Sequence, residues 1–139
     1  MWDDHDYGKN DGDKTFPFKE QTRQLWLDAF GEPKDSPRRT RAGIYESYYI
    51  GKKTRTFREI SYFSYSGSEK LVKVILLDGR FNKDPARFFG NHNLGEEQWK
   101  WLEEELKTNT AQVVLIGSGE WILLGETNYP LYKLKVIKF

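Results

Sequence analysis

A chain of 139 residues, 37% of them hydrophobic, suffices for one domain with a real core, burying about two thirds of the unfolded surface. A net charge of +1 selects no strongly acidic or basic partner, and the absence of cysteine excludes disulfides and thiolate metal sites. The sequence shows neither a charged-then-apolar leader nor an apolar run of transmembrane length.

The chain opens on its densest chemistry. Residues 3 to 11 hold four Asp, a His and an Asn. Carboxylates so close repel one another when ionised, unless cations sit among them. A histidine beside them can donate a proton near neutral pH. These are ingredients of a metal-dependent hydrolase, although a solvated acidic terminus has the same composition. Trp2 argues against the second reading, because a purely solvated tail has no use for a large aromatic. An EF-hand does not fit. With Gly12 as sixth loop residue, Tyr7 would be first and Phe18 last, and neither can ligate calcium.

Lys19 to Phe30 reads as a helix with Leu25, Trp26 and Phe30 at helical spacing, stopped by Gly31 and Pro33. Residues 33 to 58 carry eight basic side chains (Lys34, Arg38, Arg39, Arg41, Lys52, Lys53, Arg55, Arg58) against Asp35 and Glu46. That block reads as a solvated loop and strand face, or as an anion-binding surface. Gly43 to Ile50 reads as a strand, and Phe57 to Tyr65 as another. Lys73 to Asp78 is a short apolar run suited to a central strand buried on both faces. Asp78 then falls at its carboxyl end, where ligands bind in open α/β sheets. Asn93 can cap a helix beginning near Gly95, with Glu96 completing a capping box. Trp99, Leu102 and Leu106 form its buried stripe, and its glutamates the solvated side. Ala111 to Gly117 reads as a second buried strand, making a parallel βαβ unit. Trp121 to Leu124 is apolar, and Tyr129 to Phe139 could make a basic edge strand.

Three blocks resemble a known family. Trp2-Asp3-Asp4-His5-Asp6-Tyr7-Gly8-Lys9-Asn10-Asp11 is similar to the Trp-Asp-Asp-His-Asp/Glu-Tyr-Gly-x-Asn-Asp block of the alkaline phosphatase D family. Ile75-Leu76-Leu77-Asp78-Gly79-Arg80-Phe81 resembles its Leu-Leu-Asp-x-Arg-Tyr/Phe strand end. Leu94-Gly95-Glu96-Glu97-Gln98-Trp99-Lys100-Trp101-Leu102 resembles its Leu-Gly-x-x-Gln-x-x-Trp-Leu helix. The resemblance runs from Trp2 to about Gly119 and leaves 120–139 as a divergent tail.

The resemblance implies an α/β domain with a partial calcineurin-like αββα metallophosphoesterase fold. It implies a binuclear metal site, of iron and calcium or other divalent ions, and a small phosphoester substrate rather than nucleic acid. Asp4 then stands as a metal ligand, with Asp3 and Asn10 beside it. His5 stands where an imidazole meets the phosphoryl group, and Asp6 would orient it. Arg80 and Asp78 are the implied phosphate neighbours. Members of the family are often secreted. The family's upstream Gly-Asp-x-x-Tyr-x-Asp block and downstream Gly-Asp-x-His segments have no counterpart here, and the only histidines are His5 and His92. The chain therefore reads as an interior segment, 1–139, of a single phosphatase domain, with an incomplete ligand set. The alternative is a non-catalytic α/β remnant whose basic-aromatic surface binds anions or nucleic acid.

Overall fold

The computed structural model describes residues 1–51, 71–85 and 93–120. They form a small mixed α/β protein built on a three-stranded mixed sheet. Strand β2 (Val72–Leu76) is central. Strand β1 (Glu46–Ile50) pairs with it antiparallel, from Glu46 opposite Leu76 to Ile50 opposite Val72. Strand β3 (Val113–Gly117) pairs with it parallel, from Val72 beside Val113 to Leu76 beside Gly117. The expected βαβ unit is present, with helix α3 (Gly95–Lys107) as its crossover.

Alternation explains what β2 buries. Lys73 and Ile75 are fully buried, whereas Val72, Val74 and Leu76 are only half-buried. The expectation of a strand buried on both faces is thus corrected to one well-covered face. Ile75, Leu77, Leu94 and Leu102 form a core there, with Trp99, Trp101, Leu106 and Val114 packed on it. Of the predicted stripe, Leu102 is buried, and Trp99 and Leu106 are half-buried. Lys73 enters this face because its ammonium finds Glu105, at 2.8 Å from Oε2 and 2.5 Å from the backbone carbonyl. Burial works against that charge, and the bonds to Glu105 and Tyr49 outweigh it, holding the Lys73 pKa above its ordinary value.

Helix α3 begins at Gly95, as expected, but without the proposed cap. Leu94 is its N-cap, and Gly95 takes a φ of +74°, so Asn93 caps nothing. Glu96 and Glu97 still complement the positive end of the helix dipole. Strand β3 departs further. Its residues Val113, Leu115 and Ile116 are 47–53% exposed, so this apolar run is not the buried strand its composition suggests.

A second core lies beyond the carboxyl end of β2. Trp2, Tyr7, Leu27, Ile44 and Phe81 are its buried members, with Phe16, Trp26 and Ala42 against them. Helix α1 (Asp4–Tyr7) and helix α2 (Lys19–Ala29) both contribute. The predicted face of α2 is corrected here. Leu25 and Phe30 are about 70% exposed, and α2 instead buries Leu27 and Arg23, one turn apart.

The basic block also resolves differently from a solvated face, as far as it is described. Arg38 is buried, paired with Glu32 at 2.8 Å and bonded to the Ile44 carbonyl at 2.6 Å. Arg39 pairs with Asp28 at 2.8 Å, and Arg41 lies over the Tyr45 ring at 3.9 Å. These guanidiniums tie the loop at 32–46 to α2 and to itself. Lys52, Lys53, Arg55, Arg58, His92 and the proposed strands at 57–65 and 129–139 lie outside the described residues. No helix among the described residues is long and apolar enough to cross a membrane.

Candidate functional site at the carboxyl end of the parallel strands

Asp78 lies two residues beyond β2 and is fully buried. Its Oδ1 accepts from the Trp2 indole at 2.9 Å and from the Arg80 and Phe81 amides at 2.9 and 3.0 Å. Its Oδ2 accepts from the Ile44 amide at 2.9 Å. Its own amide donates to Gln98 Oε1 at 2.8 Å, and Gln98 returns a bond to the Asp78 carbonyl at 2.7 Å. Asp78 therefore acts as a joint between four segments.

The Trp2–Asp78 bond delivers the acidic block to this end of the sheet. Asp3 caps α1, accepting from the His5 and Asp6 amides at 2.8 and 3.2 Å. Those two backbone bonds hold the Asp3 pKa below its ordinary value. Asp6 closes the capping box by accepting from the Asp3 amide at 3.4 Å. That is its bonded partner, so the expected Asp6–His5 pairing is not formed. His5 Nε2 instead lies 3.7 Å from Asp4 Oδ2. The His5 side chain is 76% exposed, open to an approaching ligand. Tyr7 anchors the turn from below, its ring 5.1 Å from that of Trp2 and its hydroxyl donating to the Asp13 carbonyl at 3.2 Å. Burial pushes that hydroxyl's pKa well up. Gly8 ends the turn at φ +143°, where a side chain would be strained and would strike Phe16.

Arg80 sits behind the block and is buried. Its Nη2 lies 3.8 Å from Asp4, its Nη1 3.9 Å from Asp11, and its Nε contacts Glu120. Asn10 donates to Asp11 at 2.9 Å, leaving its carbonyl oxygen as its donor atom toward a metal. The structure thus gathers Asp4, His5, Arg80 and the Asn10–Asp11 pair at one end of the sheet. Asp3 and Asp6 belong to the same turn, but their carboxylates are engaged in capping it.

Two site residues escaped the sequence reading. Glu120 follows β3 as Asp78 follows β2, an acid just past an apolar strand, and that repetition was the available signal. Burial pushes its pKa up, against the pull of Lys83 and Arg80. Lys83, 3.3 Å from Glu120, offered no signal beyond its place three residues after Arg80. Gly119 presses so closely on the Trp2 carbonyl that no side chain fits between them.

The donors present are hard oxygens and an imidazole, a chemistry suited to calcium or iron. Among the described residues, no three His, Asp or Glu side chains converge into a metal-binding group. Scans against family models, curated proteins and solved structures return no match to this chain.

Proposed function

We propose that this chain carries part of the active site of a metal-dependent phosphoester hydrolase of the alkaline phosphatase D type, within a calcineurin-like domain. One observation carries the reading. The Asp4–His5 pair, from the block most similar to that family, is fastened by the Trp2–Asp78 bond to the carboxyl end of the parallel strands. That is where α/β sheets bind their ligands.

In this reading Asp4 offers a carboxylate oxygen to a divalent ion, with Asn10 as a neighbouring donor. Bound metal would polarise the phosphoester and supply the attacking water. His5 meets the phosphoryl group and gives its proton to the leaving oxygen. Arg80 holds Asp4 in place through its Nη edge. The family's upstream and downstream ligand blocks have no counterpart in this sequence, so turnover by this chain alone is low.

Calorimetry with Ca²⁺ and Mn²⁺ tests the metal role, with Asp4→Asn weakening the binding. Hydrolysis of a bis-nitrophenyl phosphate reporter under saturating metal tests the chemistry. His5→Ala should lower it about 10²–10⁴-fold. Metal binding indifferent to Asp4→Asn, together with hydrolysis indifferent to His5→Ala, would sink the reading.

A further inference from the structure

Beyond β3 the chain lays the Glu120 side chain across Gly79. Its Cγ comes within 2.6 Å of where a Cβ on residue 79 would stand, so the glycine opens the slot that Glu120 fills. Arg80 and Lys83 close on the carboxylate, Arg80 Nε at Oε1 and Lys83 Nζ at Oε2, the latter 3.3 Å away. Both cations are buried, at 4% and 8% exposure. Arg80 Nε and Glu120 Oε1 meet directly as an ion pair, and neither atom has another hydrogen-bond partner among the described residues. A buried cationic edge whose partner there is one side-chain carboxylate can take another oxyanion in its place.

We propose that Arg80 and Lys83 form an oxyanion seat for the phosphate group of a phosphoester, which the chain's own Glu120 occupies until phosphate displaces it. The proposal rests on the phosphoester reading above and adds to it an internal competitor. A phosphate dianion brings more charge than a carboxylate to the same two cations, Arg80 Nε and Lys83 Nζ, and so can displace it. Asp4 and Asp11, at 3.8 and 3.9 Å, balance the Nη edge of Arg80 and leave its Nε edge for the seat. Displacement breaks no covalent bond. Glu120 exchanges a desolvated site for water, which reverses the burial that disfavours its charge.

The test is titration of the whole 139-residue chain with inorganic phosphate at low salt in the presence of EDTA. Glu120→Gln should bind phosphate at least tenfold more tightly than the native chain, and adding Lys83→Met should abolish the gain. Equal or weaker binding by Glu120→Gln overturns the proposal, as does a double variant that binds as tightly as the single. Should Glu120→Gln fail to fold, the native chain decides. With ¹³C-labelled glutamate, the Glu120 carboxyl resonance should move toward that of exposed glutamates as phosphate is added. A resonance unmoved throughout the titration overturns the seat. Because metal is chelated, these outcomes are independent of metal-dependent hydrolysis. A failed hydrolysis assay with tighter phosphate binding would retain the seat and reject the enzyme.

Discussion

Asp78 is the residue whose removal should be felt furthest. Its carboxylate holds three backbone amides and one indole N–H, all buried and all within 2.9–3.0 Å. Asp78→Ala strands these four donors together. Each buried polar group left unpaired costs about 1–3 kcal/mol, more when the lost partner was charged. Water entering the vacated space lowers the total, so the expected loss is at least about 4 kcal/mol, a large share of the 5–15 kcal/mol typical of a domain. Asp78→Asn is the milder variant. Its carbonyl can keep the three bonds at Oδ1, while its amide nitrogen meets the Ile44 N–H donor to donor, costing about 2–3 kcal/mol. Urea unfolding followed by tryptophan fluorescence and far-ultraviolet dichroism measures both. Hydrogen exchange should quicken first at the Ile44, Arg80 and Phe81 amides. If Asp78→Ala unfolds within about 1 kcal/mol of the native chain, the joint described here does not hold the molecule.

Leu102→Ala should cost about 2–5 kcal/mol by urea unfolding, and Trp99→Ala less for its size, because Trp99 is only half-buried. Gly119→Ala should push the Trp2 carbonyl away, costing about 1–3 kcal/mol and moving the Trp2 indole resonance. Backbone bonds lower the Asp3 pKa, so its capping contribution is present above the ordinary carboxylate range and is lost as pH falls through the lowered folded value. The His5 and Asp6 amide shifts, followed downward in pH, should report that loss. Shifts that titrate at or above the ordinary carboxylate range would contradict it.

The βαβ unit was legible because strand and helix periods differ and the apolar residues of α3 keep one face. The place of Asp78 was legible too, since an acid closing an apolar run marks a strand end. Its use was not. Nothing local to residues 73–78 shows that an indole 76 residues away will take its lone pair. The buried face of α2 was misread for a similar reason. Apolar side chains surround that helix, and the choice among them is made by Ile44, Phe81 and Trp2 from distant segments. Arg23, Arg38 and Lys73 are buried although charge alone argues for exposure. Arg23 meets the Arg39 and Arg41 carbonyls and Lys73 meets Glu105 across the fold, while Arg38 pairs locally with Glu32 and bonds the Ile44 carbonyl. Glu120 was missed because the resemblance fades at Gly119, one residue before it.

The bond between Trp2 and Asp78 also sets a timetable. The two residues are 76 positions apart, so the acidic block has no seat while the first half of the chain leaves the ribosome. One capped turn of helix cannot persist alone in water. The block can only settle once β2 has been made and its far end ordered, after a long loop has closed against its own entropy. The acidic block is thus held only while the sheet end that carries Asp78 is ordered, and it is released when that end loosens.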